Sequence, residues 1–180
     1  MTGGACRIMK FINPVLIAAL SVSFVGIAAA YTIDKTFTIN ATFTAPSCDI
    51  SIPTQFYNLG TLTPGAAKKH SPLEIKWTCA GNIPVKTAIK GFVSQGQLES
   101  SNDKLQMLLT KDGKPNGTYL WLENNNIPVK LTGQDSDAFC SDSTATTGER
   151  QCVITPVTEV HNTDQFGPVK AAVTFEVIYP

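Results

Sequence analysis

The chain carries no surplus of either charge. Its 14 Lys and Arg balance 14 Asp and Glu, and charged residues make up only 16% of the 180 positions. That excludes a broad basic face for nucleic acid or an anionic membrane. Sustained helical periodicity with caps is missing as well, which argues against a helical bundle. Histidine is scarce, and His70 and His161 stand apart with no CxxC pair near them. A zinc site therefore has no donor set. Ser71, His70 and Asp103 build no triad, and the chain has neither a GxSxG motif nor a phosphate-binding glycine loop. The expectation is a non-enzyme without cofactor or metal. Much of the polarity rests on Thr, Ser and Asn, which suits exposed β-structure.

What is present begins with a leader. Arg7 and Lys10 form a positive start, residues 11–28 are almost wholly apolar, and Ala28, Ala29 and Ala30 are small. This pattern reads as a secretory signal peptide over residues 1–30, cleaved after Ala30. Met9, Lys10 and Phe11 begin a conventional signal, which makes Met9 a second candidate start. Pro14 and the polar sequence that follows argue against a membrane anchor. The remainder, about 150 residues, suits one domain.

Cys6 falls in the leader, leaving Cys48, Cys79, Cys140 and Cys152. An even count in an exported chain points to disulfides. Three connectivities are open. The local pairing, Cys48–Cys79 with Cys140–Cys152, is the reading adopted here, each bridge contributing about 3–4 kcal/mol by loop entropy.

Period-two alternation dominates the mature chain. Over residues 31–45, Ile33, Phe37, Ile39, Ala41 and Phe43 share one face, while Thr32, Asp34, Thr36, Thr38, Asn40, Thr42 and Thr44 share the other. Lys35 is the single break in the apolar face, and Pro46 ends the run. Such a strand has one greasy and one wet side. Leu73, Ile75, Trp77 and Cys79 alternate with polar residues in the same way. Residues 85–92, 105–109, 119–122 and 129–131 are further expected strands. The turn signals between strands are Thr63-Pro64-Gly65, Gly81-Asn82, Lys111-Asp112-Gly113-Lys114 and Asn124-Asn125-Asn126. The 140–152 span reads as a stapled surface loop. A last alternation puts Val169, Ala171, Val173, Phe175, Val177 and Tyr179 on one face. Short strands separated by turns predict an all-β antiparallel sandwich.

Other residues carry a bland reading. Asp135, Asp137, Asp142 and Glu149 match no EF-hand spacing and read as a solvated loop. Lys68, Lys69 and His70 read as a solvated turn. Trp77 and Trp121, with Tyr119, sit on alternating segments and read as core aromatics rather than a sugar platform. The Asn40-Ala41-Thr42 and Asn116-Gly117-Thr118 sequons read as coincidence.

The mature chain resembles the subunits of chaperone–usher fimbriae, including the type 1 and P fimbriae. A signal peptide precedes an alternating extension. Cys48 and Cys79 stand where the family pairs its early strands. Gly167 is fourteenth from the C-terminus, and Tyr179 is penultimate. One departure is Ala41, where the family has glycine seven residues before the first cysteine. Another is the pair Cys140 and Cys152, absent from many major pilins.

The resemblance implies an incomplete immunoglobulin-like sandwich lacking its final strand, in a pilin domain spanning residues 46–180. Residues 31–45 would be a donor-strand extension presenting Ile33, Phe37, Ile39, Ala41 and Phe43. Gly167, Val173, Phe175, Val177 and Tyr179 would mark the last strand beside the acceptor groove. Expected partners are a periplasmic chaperone, an outer-membrane usher, neighbouring fimbrial subunits and a host receptor reached through the fibre. Localisation would be periplasmic, then extracellular. The alternatives are a receptor-binding minor subunit and a self-contained secreted β-sandwich module.

Overall fold

A computed structural model describes residues 39–42 and 44–180. The expected signal peptide and the donor positions Ile33, Phe37 and Phe43 lie outside the described residues. Ile39 and Ala41 are described and carry no regular structure. Among the described residues the body is all-β, with eleven strands and one short 3-10 turn at Asp135–Asp137. The strands are β1 (Cys48–Ser51), β2 (Gly65–Lys69), β3 (Leu73–Cys79), β4 (Ala88–Gln95), β5 (Gln97–Leu98) and β6 (Lys104–Leu109). They continue with β7 (Pro115–Asn124), β8 (Ile127–Pro128), β9 (Glu149–Val160), β10 (Val169–Lys170) and β11 (Ala172–Ile178).

Two sheets enclose the core. The larger runs β1-β3-β9-β7-β6-β10, with β2 beside β9, β5 beside β6 and β8 beside β7. The smaller is the antiparallel pair β11-β4. Between them lie Ile75 and Trp77 of β3, Ile89 of β4, Leu105 and Met107 of β6, Leu120 and Leu122 of β7, and Ile154 of β9. The inward face of each strand is apolar because alternate residues point to one side of a pleated sheet. Gly96 lets the chain turn the corner from β4 into β5. Its φ is +136°, and a Cβ there would meet Leu105 Cδ1 at 2.8 Å.

Several local expectations change. Residues 129–131 form no strand, although Val129 and Leu131 are buried. Their alternation reflects core contact without a ladder, since Val129 N bonds Leu122 O and Leu131 N bonds Asn102 O across different elements. The 140–152 span is a loop only to Gly148, because residues 149–152 belong to β9, the longest strand. Lys68 and Lys69 lie in β2, not in a turn. Lys69 reaches Glu123 at 2.6 Å and donates to Asn126 Oδ1 at 2.8 Å. Pro156 sits inside β9, where it removes no needed donor. It falls where β9 changes neighbours, from β3 at Ile154 to β2 at Val157.

Candidate functional site

The last strand defines the site. β10 pairs with β6 through Val169 and Leu109. The chain then crosses at Ala171 to the other sheet, where β11 pairs with β4 from Ala172↔Gln95 to Ile178↔Ala88. Among the described residues, no strand pairs with the second edge of β11. Its peptide groups on that side have no ladder partner, which leaves an open template for another strand.

Beside that edge lies a groove of about 740 Å³. One wall is β10 and β11, contributing Val169, Ala171, Val173 and Phe175. The opposite wall is the segment 52–64, which contains no strand. The floor is the larger sheet, through Leu73, Met107, Leu120, Leu122 and Ile154. Val169, Ala171, Val173, Phe175 and Val177 pack on the core yet remain half-buried. A finished sandwich would cover such side chains. Phe56 and Phe166, each 89% exposed, stand at the groove as bare aromatics.

Each end of the groove is closed differently. At the β10 end, Asn116 Nδ2 donates to Thr118 Oγ1 at 2.9 Å, and Thr118 Oγ1 donates to Asp164 Oδ2 at 3.2 Å. The His161 amide also donates to Asp164, at 2.8 Å. These polar groups satisfy one another and form a plug. Gly167 lies here with φ +141°, where a Cβ would press on Leu109 Cδ2 at 3.3 Å. At the other end the Tyr179 hydroxyl donates to the Pro46 carbonyl and lies 2.9 Å from Cys48 Sγ. The penultimate residue thus ties the end of β11 to the start of β1.

Of the last-strand positions, Gly167, Val173 and Phe175 line the groove, whereas Val177 and Tyr179 stand beyond it. The segment 52–64 supplies a whole wall, and sequence reasoning missed it because it does not alternate.

On its outer face, β11 pairs Glu176 with Lys90, whose ammonium lies 3.3 Å from Glu176 and 2.9 Å from Asp135. The hydrogen bond it donates to Asp135 Oδ1 is the main reason the Lys90 ammonium is held above its ordinary pKa. Lys69 likewise holds the Glu123 carboxyl below its usual range, with help from the Trp121 indole. Trp121 is buried and Tyr119 half-buried, which leaves no open aromatic platform on β7.

The disulfides join Cys48 to Cys79 and Cys140 to Cys152. The first links directly opposed residues of β1 and β3. The second anchors the 140–148 loop beside a buried polar network. Thr87 donates to Asp142 through its amide (2.9 Å) and its hydroxyl (2.8 Å), and Trp77 Nε1 donates to Thr87 Oγ1 (2.8 Å). Arg150 donates to Asp142 and to the carbonyls of Gly148, Val85 and Thr146. Asp142 is therefore an internal acceptor, not a solvated loop residue. The other three acidic residues of that region go to separate partners: Asp135 to Lys90, Asp137 to Thr132 and Lys130, and Glu149 to Lys76.

No family model and no curated protein matches the chain. Solved structures do. The chain is similar to one from a chaperone–usher pilus studied for rod uncoiling, with TM-score 0.53 and 18% identity over 84% of this chain and all of that one. It is also similar to the P pilus rod subunit PapA, with TM-score 0.55 and 17% identity over 74% of this chain and 99% of that one. The fold is that of a pilus subunit, an immunoglobulin-like sandwich with a strand missing.

Proposed function

We propose that the chain is a structural subunit of a bacterial fimbria, assembled by the chaperone–usher route through donor-strand exchange. The observation that carries this reading is the unpaired edge of β11 above a half-covered apolar groove. A periplasmic chaperone fills the groove first. At the outer-membrane usher, the N-terminal extension of the next subunit replaces it. Backbone hydrogen bonds along β11 supply affinity, and alternate side chains set the register.

The energies suffice. Burying Ile33, Phe37, Ile39 and Phe43 at about 1.5–3 kcal/mol each gives about 6–12 kcal/mol. Ordering the extension subtracts part of this. The remainder holds a joint without a covalent bond or nucleotide. The assembled fibre then presents the subunits outside the cell in support of adhesion.

Deleting residues 31–43 tests the reading. The shortened chain is expected to bind its chaperone, because its groove is intact. It is also expected to fail to be added onto a preceding subunit. Recovery of the deleted chain at interior positions of fibres, by immunogold labelling, would refute donation.

A further inference from the structure

The small sheet has a second edge, on β4, and it is closed from within the chain. Alternate residues of a strand turn their peptide groups to opposite sides. Lys90 and Phe92 face β11, where they stand opposite Glu176 and Thr174. Val85, Thr87, Ile89 and Gly91, in β4 and just before it, face the other way and meet the segment 132–146. The Ile89 amide donates to Phe139 O at 2.9 Å, and the Phe139 amide donates back to Ile89 O at 2.7 Å. Val85 and Thr146 exchange the same two bonds, at 3.0 and 3.1 Å. The Thr87 amide donates to Asp142 Oδ2 at 2.9 Å, and Thr87 O accepts from the Asp142 amide at 2.8 Å. Gly91 O accepts from the Gly133 amide at 2.9 Å.

These contacts are evenly spaced on β4 and unevenly spaced on the segment. They therefore form isolated bridges, Val85↔Thr146, Ile89↔Phe139 and Phe92↔Thr132, and no ladder. A cover of this kind lacks the cooperativity of strand pairing and depends on anchors. Cys140 stands between Phe139 and Asp142 with φ +51°, which turns the segment out of strand geometry, and its side chain is bonded to Cys152 of β9. Arg150 ties the two sides together, donating to both Val85 O and Thr146 O. The Phe139 ring meets Phe175 edge-on, with centroids 6.4 Å apart.

We infer that residues 132–146 are a strap that withholds the β4 edge from strand addition, and that Cys140–Cys152 is its clamp. An open sheet edge is a template for another chain. With the strap in place the small sheet presents one such edge, that of β11, so the inference rests on reading β11 as the accepting edge. Bared, the β4 edge fits the same edge of a second copy. Two such edges carry the same spacing of free peptide groups and can pair antiparallel about a two-fold axis. A disulfide that merely stapled the fold would stabilise it without singling out these residues.

Amide hydrogen exchange on the full mature chain, read residue by residue by NMR, tests the strap. With both disulfides intact, Val85, Thr87 and Ile89 are expected to exchange as slowly as Lys90 and Phe92. Fast exchange at the first three overturns the strap as a cover, and this arm needs no variant. In Cys140→Ala with Cys152→Ala, those three amides are expected to exchange about a hundredfold faster, the equivalent of the loop-closure entropy released. Lys90 and Phe92 are expected to stay protected. Equal acceleration everywhere, or none, overturns the clamp. Raising the concentration of this variant is expected to restore protection at Val85, Thr87 and Ile89 as a second copy pairs there. Protection that stays lost at every concentration overturns the guarding role. Strand donation at β11 reaches none of these three amides, so failure of the strap and failure of donation are read separately.

Discussion

Arg150 is 7% exposed, and its guanidinium is spent on one carboxylate and three carbonyls. A buried cation so placed is costly to desolvate and costlier to remove, because its partners stay behind unpaired. Arg150→Met is expected to lose about 3–5 kcal/mol, read as a lower urea midpoint. Asp142→Asn keeps an acceptor for Thr87 and is expected to lose less, about 1–3 kcal/mol. A loss under 1 kcal/mol in Arg150→Met would mean that the loop carries no strain from the missing partner. His70 provides a pH test at the same scale. Its Nε2 shares a 2.8 Å hydrogen bond with Thr158 Oγ1. Burial of the ring, reinforced by nearby Lys68, holds its pKa below the ordinary 6.5. The unfolded chain therefore takes up the proton first as pH falls. Stability from this residue is intact above about pH 6.5 and declines with acid until the folded-state value is passed. His70→Gln is expected to flatten the dependence of the denaturation midpoint between pH 7.5 and 5. An unchanged slope would assign the acid sensitivity elsewhere.

Among the elements, legibility in sequence tracked the regularity of burial. β3 and β11 were readable because one face of each meets the core along nearly its whole length, so polar and apolar residues alternate cleanly. β9 was not. Arg150, a buried hydrogen-bonded cation, stands among its inward residues, Val153 is exposed, and Pro156 interrupts the pattern. Each breaks the alternation for a tertiary reason: a polar network, a solvated face and a change of neighbour. The groove was half legible. The strand of its β11 wall could be read from alternation, with its place beside a groove implied by the family resemblance, whereas the 52–64 wall is irregular backbone held by bonds such as Tyr57 Oη to Ser71 O at 2.8 Å. The second disulfide belongs to this scale too, since it ties the loop after the 3-10 turn to the first residues of β9, at Cys152. Cys140→Ala with Cys152→Ala is expected to lower stability by about 3 kcal/mol, the entropy of freeing a loop of this length. The loss should appear in thermal melts with the β-sheet signal retained. A loss near zero would show that the Arg150 network alone fixes the loop.

For the whole molecule, the decisive quantity is the free energy that filling the groove adds. Val173, Phe175 and Val177 are half-buried, and among the described residues no strand pairs with the second edge of β11. A ligand that binds only the folded state adds stability by mass action, about 2.7 kcal/mol at a hundredfold excess over its dissociation constant. For a domain of about 150 residues, each kcal/mol moves the melting temperature by roughly 2–4 °C. A synthetic peptide of residues 31–45, added to the mature chain, is therefore expected to raise the melting temperature by roughly 5–10 °C at saturation. The same peptide with Ile39→Asp places a carboxylate in the apolar face and is expected to give little or no shift. Scanning calorimetry with both peptides separates specific filling from general crowding. Equal shifts from the two, or no shift from the first, would mean that the groove is not a seat for this segment and that the open edge has another occupant.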